Sequence, residues 1–138
     1  MKIKTTISLL AAFGVASIAL AEDPAASPAK LPPASDKKDV TYQKDIKPIF
    51  EAACVKCHSG EKAKGKLRLD SLAGTLKGGH DGKVLLPGNS AKSDLVLSVA
   101  HVGDEDGWMP PLRNRAGIKP LADQQIGLIR AWIDQGAK

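Results

Sequence analysis

Cys54-Val55-Lys56-Cys57-His58 is the stretch of this sequence that decides its fold. Two cysteines two residues apart, followed directly by a histidine, form the attachment sequence of a covalently bound c-type haem. Each thiol can add to one vinyl group of the haem, and His58 is then held under the iron as its proximal ligand. Cys54 and Cys57 are also the only cysteines of the 138-residue chain, so no thiol remains for another site.

Three other interpretations of the two cysteines are open. A thioredoxin-like redox pair needs a βαβ setting, and no such setting is visible in the sequence. A structural zinc site needs four ligands, which Cys54, Cys57, His80 and His101 could supply, but it does not require a histidine directly after the second cysteine. A plain disulfide is the third interpretation. We predict one haem c, attached through Cys54 and Cys57.

The N-terminus predicts export by an independent route. Lys2 and Lys4 precede an apolar run over residues 7–20, and the segment 19–21 reads Ala-Leu-Ala, a small-residue cleavage site. We therefore predict a signal peptide over residues 1–21. Because c-type haem is attached outside the cytoplasm, we expect a periplasmic protein. The apolar run is too short for a spanning helix, so we expect no membrane span after cleavage.

The remaining chain divides into a linker and one small domain. Residues 22–39 hold four prolines among alanine, serine and lysine without apolar periodicity, which is typical of an extended or disordered linker. Residues 40–138 form the predicted domain. Aromatic residues are only 4% of the chain, so a core of this size is marginal unless a large apolar group is bound within it.

The charge of the chain indicates its partners. Loss of the signal peptide removes two positive charges and no negative charge, so the formal net charge falls from +5 to +3. No basic arm with interleaved aromatic residues is present, and we expect no nucleic-acid partner. We expect redox protein partners. A patch around the haem motif would suit an acidic partner, although a solvated charged face is the simpler interpretation. Its residues are Lys56, Lys62, Lys64, Lys66 and Arg68.

Apolar periodicity predicts an all-α domain with three or four helices. The first is near residues 42–53, where Pro48 disfavours α conformation in the residue before it and starts a new helix. A third lies near residues 90–101. A short helix over residues 71–77 is expected to be capped by Asp70.

The last helix is the clearest. Ile126, Ile129 and Ile133 repeat at helical spacing, and Gly136 is a plausible C-terminal stop. Gly127 inside this helix costs roughly 1 kcal/mol relative to alanine, so we expect it to mark a close helix crossing.

The order of these motifs resembles that of class I cytochromes c, and is similar to the single-haem domain of planctomycetes and related bacteria. The resemblance implies a small cytochrome c fold around one covalently bound haem. Ala122 departs from that pattern, because the family usually has serine or threonine as the cap of the last helix. The matching segments are residues 45–50, 54–58, 67–70, 78–79, 87–89, 109–111 and 130–136.

The sixth ligand of the iron is the decisive question. Met109 is the only methionine outside the predicted signal peptide, and it is followed by Pro110 and Pro111. The resemblance implies that Met109 binds the iron, and a thioether ligand raises the reduction potential. The alternatives are a bis-histidine haem with His101, a role for His80, or a methionine that only packs in its loop.

We expect a one-electron carrier, monomeric and without enzyme activity. The alternative is a haem-based sensor or a peroxidase-like domain, which needs an open or labile sixth site. Phe50 and Trp132 are expected to pack where the first and last helices cross. Trp108 and Arg68 are candidates for contact with the haem propionates.

Overall fold

A computed structural model describes residues 31–138; the predicted signal peptide therefore lies outside the described residues. The described chain forms four α-helices and no strand, in agreement with the predicted all-α class. No helix within residues 31–138 has the length and hydropathy that a bilayer-spanning segment needs. The helices are α1 (Lys47–Ala53), α2 (Leu72–Lys77), α3 (Asp94–Val99) and α4 (Asp123–Asp134). Short turns precede or join them: a π-helical turn at Tyr42–Ile46 and 3₁₀ turns at Lys64–Lys66, Ser90–Lys92 and Glu105–Gly107.

Pro48 stands in the first turn of α1, close to the predicted position. The π-helical turn ends at Ile46 and α1 begins at Lys47. Lys47 adopts helical geometry, with φ −52° and ψ −44°, although the proline after it disfavours that conformation. A proline in the first turn is tolerated there, since the N–H it lacks would have no partner within the helix. Lys47 is further fixed by an ion pair with Glu51, one turn along α1.

An aromatic cluster joins α1 to α4. Phe50 and Trp132 are fully buried, and their ring centroids lie 6.4 Å apart in an edge-to-face arrangement with an interplanar angle of 86°. Tyr42 completes the cluster, with its centroid 5.9 Å from that of Trp132. The predicted contact between the first and last helices is confirmed. Edge-to-face pairs of this kind contribute about 0.5–1.5 kcal/mol beyond the area they bury.

Both ends of α4 are closed by local hydrogen bonds. Ala122 cannot accept a bond through its side chain, but its N–H donates to Oε1 of Gln125 at 2.9 Å. Gln125 thus supplies half of a capping box and offsets part of the loss expected from alanine. At the other end Gly136 has φ +98°, in the left-handed region that favours glycine, and the predicted stop is confirmed.

The cap of α2 differs from the prediction. Ser71 precedes the helix in extended conformation, and its Oγ accepts from the N–H of Gly74 at 3.1 Å. Asp70, the expected cap, instead accepts from the guanidinium of Arg68. Serine and aspartate are nearly equal as caps, so the sequence pattern alone did not distinguish two neighbours.

The predicted helix over residues 90–101 is a 3₁₀ turn followed by the shorter α3. Ser93, between the two, is fully buried and donates its hydroxyl to the carbonyl of Asn89 at 2.8 Å. Ser90 ties this region to α4, because its N–H and its hydroxyl donate to the carboxylate of Asp134 at 2.7 and 2.9 Å.

Residues 31–39, which we call the strap, run along α4. Leu31 is buried in the core, and the N–H of Ser35 donates to the carbonyl of Gly127 at 2.9 Å. Arg130 of α4 donates to the carbonyl of Pro32. This part of the predicted linker over residues 22–39 is therefore packed on the domain, and residues 22–30 lie outside the described residues.

The strap explains the glycine within α4. A Cβ added at Gly127 would lie 2.7 Å from the carbonyl oxygen of Pro33, closer than real Cβ contacts come. Gly127 does mark a close approach, as expected, but the partner is the backbone of the strap and not another helix.

Gly127→Ala is expected to lower the free energy of unfolding by up to about 2 kcal/mol. Alanine gains roughly 1 kcal/mol of helix propensity, but its methyl group must displace the strap, and overpacking costs about 1–3 kcal/mol. Guanidinium unfolding of the haem-loaded protein measures the difference. Gln124→Ala, an exposed change in the same helix, is the control and should be nearly neutral. A stabilised Gly127→Ala variant would contradict this account of the strap.

Candidate functional site

One cavity collects the residues that the sequence singles out. Its volume is about 320 Å³, within the usual range for cofactor sites. Cys54, Cys57, His58 and Met109 all border it. Most of the remaining wall is apolar, as a macrocycle with a hydrocarbon surface requires. The apolar residues of the wall include Leu67, Leu69, Val84, Leu95, Val99 and Ile118.

The haem motif leaves α1 as a series of tight turns. The N–H of Cys54 still donates to the carbonyl of Phe50, and the N–H groups of Cys57 and His58 both donate to the carbonyl of Cys54 at 3.0 Å. The following segment holds the motif from outside, because the N–H of Leu69 donates to the carbonyl of His58 at 2.8 Å. The backbone that carries both thiols and the imidazole is thus held by hydrogen bonds on both sides of the motif.

Burial controls the chemistry of the first thiol and of the imidazole. Burial raises the pKa of the Cys54 thiol to about 12, so this side chain is held as a neutral thiol. Burial also lowers the pKa of His58, which favours the neutral imidazole that binds metal ions. Nδ1 of His58 is buried and has no hydrogen-bond partner among the described residues. His58 therefore keeps a buried ring nitrogen that no protein group among the described residues engages.

Met109 comes from a later part of the chain and borders the same cavity. Its N–H donates to the carbonyl of Ser98 in α3 at 3.0 Å, and Pro110 beside it is buried. Asn114 braces the loop that follows, because its Nδ2 donates to the carbonyls of Pro111 and Ile118, both at 2.8 Å. The methionine is therefore attached to a helix on one side and to a cross-braced loop on the other.

The other histidines occupy unexpected places. His101, the main alternative ligand, does not border the cavity; its ring stacks on that of Trp108, with centroids 4.9 Å apart and an interplanar angle of 2°. His80, considered the weaker alternative, does border the cavity. Within residues 31–138, no group of three or more His, Cys, Asp and Glu side chains is arranged to hold a metal ion.

Neither candidate for the haem propionates faces the cavity. Arg68 lies outside its wall and forms two hydrogen bonds to Asp70, at 3.1 and 3.0 Å. Trp108 also lies outside, and its ring N–H donates to the carbonyl of Gly103 at 3.2 Å. Neither suggested role has support, because both side chains lie outside the wall, Nε and Nη2 of Arg68 donate to Asp70, and the ring N–H of Trp108 donates to Gly103.

Sequence reasoning missed several polar residues of the wall. Lys83, Asp94 and Asn114 border the cavity, and none of them was singled out from the sequence. The only sequence signal near them was the pair Gly78 and Gly79, which lies just before Lys83 and was noted only as part of a resemblance. Isolated charged residues in loops carry no periodicity, so the pattern did not reveal them.

Comparison with known proteins finds a matching family model. Residues 54–112 match the family model described as Planctomycete cytochrome C. Over that segment, the chain is similar to the planctomycete cytochromes c. The matched segment begins at Cys54 and ends within the loop that follows Met109, so it includes every residue expected to hold the haem. No curated protein and no solved structure matches the chain.

The match confirms the resemblance inferred from the motifs and indicates a c-type cytochrome. A planctomycete-type cytochrome c domain implies a covalently bound haem c, and the residues present fit that group. Two thiols, an imidazole with one buried ring nitrogen that has no partner among the described residues, and a thioether border a single apolar cavity. This donor set is the one that c-type haem uses.

Proposed function

We propose that this chain is a periplasmic monohaem c-type cytochrome that carries one electron at a time. One observation carries the proposal: Cys54, Cys57, His58 and Met109 border the same cavity, although His58 and Met109 are remote in sequence. When bound, the haem supplies a one-electron couple between ferrous and ferric iron. Cys54 and Cys57 would attach it, and His58 and Met109 would be the ligands of its iron.

The protein would assist electron transfer by burying the haem and by holding its ligands in place. An apolar wall around the haem offers water few hydrogen-bond partners, and a dry site limits reorganisation when the charge changes. Met109 is fixed by its hydrogen bond to Ser98, and Asn114 braces the loop behind it. A ligand held in this way stays in place in both oxidation states, whereas a sensor or a peroxidase-like domain needs a sixth position that opens.

The proposal includes a cellular location and a surface for docking a redox partner. The signal peptide over residues 1–21 and the haem motif both favour the periplasm. Arg68 is engaged with Asp70, so the basic patch consists of four exposed lysines near the haem motif. An acidic redox partner would be steered to this face by complementary charge. The lysines are Lys56, Lys62, Lys64 and Lys66.

Absorption spectra of the haem-loaded protein test the proposal directly. We expect the weak far-red band of ferric iron bound to methionine sulfur, and we expect Met109→Ala to lose it. The same change should lower the reduction potential by on the order of 0.2 V, part of the roughly 0.8 V range that axial ligands set. Loss of the thioether removes the ligand that favours ferrous iron.

Two variants make the result specific. Leu112→Ala truncates an exposed side chain of the same loop and should keep the band. His101→Ala removes the histidine stacked on Trp108 and should keep it too. A high-spin wild-type spectrum would refute the carrier and favour a sensor or enzyme. A low-spin spectrum without the band, altered by His101→Ala, would indicate bis-histidine ligation.

A further inference from the structure

The haem carries two propionate carboxylates, and the chain must place them. An ionised carboxylate is costly to bury unless it is paired or hydrogen-bonded, so it is expected where donors meet the edge of the cavity. Arg68 and Trp108 are engaged elsewhere. Asn114 borders the cavity, but both of its side-chain polar atoms are bonded to the backbone of its own loop. The propionate partners must be sought in another part of the wall.

Residues 78–83, which we call the Gly-rich loop, form a tightly closed turn. The N–H of Gly79 donates to the carbonyl of Gly82 at 2.8 Å. A Cβ added at Gly78 would lie 2.1 Å from that same carbonyl oxygen, and Gly78 has φ +84°. Only glycine fits at this position, because a side chain would clash with backbone and strain its own. The shape of the loop is thus fixed by its sequence.

The Gly-rich loop is docked on the 3₁₀ turn at Lys64–Lys66. The N–H of His80 donates to the carbonyl of Gly65 at 2.7 Å. A Cβ at Gly79 would lie 2.7 Å from that carbonyl oxygen, so the two backbones are in direct contact. The Lys64–Lys66 turn is itself joined to the haem motif, since the N–H of Lys64 donates to the carbonyl of Cys57 at 2.9 Å. Backbone hydrogen bonds therefore link the haem motif, the Lys64–Lys66 turn and the Gly-rich loop along one edge of the cavity.

This edge carries the basic side chains of the wall. Lys64, His80 and Lys83 border the cavity and are exposed at its rim. None of the three has an ion pair or a side-chain hydrogen bond within the part of the chain that the structure describes. The acidic residues of the wall are Asp81, on the same loop, and Asp94, at the start of α3. Basic donors thus converge on one rim, with Asp81 as their acidic neighbour.

We propose that the Gly-rich loop and the Lys64–Lys66 turn hold the haem propionates. Lys64 and Lys83 are the cationic partners, and His80 is a hydrogen-bond donor to a propionate rather than an iron ligand. The inference rests on the proposed function, because it needs the haem in the cavity. Ion pairs between these lysines and the propionates would be exposed and screened by solvent, so they add little to the free energy of unfolding. Their effect is on the iron, whose ferric state is disfavoured by nearby positive charge.

The first test is proton NMR of the ferrous haem-loaded protein under carbon monoxide. The iron is then diamagnetic whether or not Met109 is bound, so the result does not depend on the sixth ligand. We expect nuclear Overhauser contacts between the propionate methylene protons and side-chain protons of Lys64, His80 or Lys83. Propionate contacts to other parts of the chain would overturn the proposal. Failure of the Met109 assignment would appear only in the absorption spectrum.

The second test is the reduction potential of charge-removing variants. Lys64→Gln and Lys83→Gln should each raise the ferric-to-ferrous ratio at a fixed solution potential by up to about tenfold, equivalent to a fall of about 59 mV. Lys62→Gln removes the same charge from an exposed lysine outside the cavity wall and is the matched control. Shifts for Lys64→Gln and Lys83→Gln no larger than that of Lys62→Gln would overturn the proposal.

Discussion

Trp132→Ala is expected to lower the free energy of unfolding by about 3–5 kcal/mol. The indole is fully buried between Tyr42 and Phe50, and its N–H donates to the carbonyl of Lys138 at 2.9 Å. Truncation leaves a large void where the π-helical turn at Tyr42–Ile46, α1 and α4 meet, and it removes a hydrogen bond. Small domains are stable by about 5–15 kcal/mol, so the variant should be close to unfolding without denaturant. Guanidinium unfolding of the haem-loaded protein measures the loss.

The other tryptophan supplies the matched control. Trp108 is half-buried, and its main contact is the stacked ring of His101, so Trp108→Ala should cost about 1 kcal/mol. Trp132→Phe keeps most of the apolar volume and loses the N–H, so its cost should fall between the two alanine variants. Equal losses for Trp132→Ala and Trp108→Ala would show that the aromatic cluster is not the centre of the core.

Local patterns predicted the helices of this core well. The spacing of Ile126, Ile129 and Ile133 places α4 correctly, because a buried stripe on a helix must recur with the helical period. Gly136 and Pro48 act through their own backbone geometry and needed no knowledge of neighbours. The cap of α2 was misplaced by one residue, since Asp70 is engaged with Arg68, a side-chain contact that the helix pattern does not contain.

Apolar periodicity could not predict that the strap packs on α4. Its attachments are backbone hydrogen bonds, such as that from Ser35 to Gly127, together with the contact from Arg130 to Pro32. Backbone groups are the same in every residue, so a proline-rich segment that packs and one that stays extended look alike. The one sequence signal was Gly127, whose missing side chain makes room for the strap.

The candidate site was predictable where ligand chemistry is specific and unpredictable where it is generic. Cys54, Cys57, His58 and Met109 were selected from spacing or resemblance, and the structure brings them to one cavity. Lysine and histidine occur at exposed positions for many reasons, so the sequence did not single out Lys83 as a residue of the cavity wall. The relative positions of His80 and His101 depend on how distant loops dock, which sequence spacing does not encode.

The double variant Cys54→Ser, Cys57→Ser is expected to carry no covalent haem. A serine hydroxyl does not replace the thiols that form the two thioether bonds, so both links are lost. The apolar wall of the cavity then faces water unless haem binds by coordination alone, and the fold loses the stabilisation that a bound group provides. Haem staining after denaturing electrophoresis measures attachment, and thermal unfolding of the purified protein measures the second effect.

The single variants separate attachment from packing. Cys54→Ser and Cys57→Ser should each keep at most one thioether link. Cys54→Ser should also be the less stable of the two, because position 54 is buried and a hydroxyl there needs a partner. Lys56→Ser places a serine inside the same motif at an exposed position and should retain both links. A double variant that keeps haem through denaturing electrophoresis would contradict attachment at these thiols. A wild-type protein that binds stoichiometric zinc and no haem would instead restore the zinc interpretation.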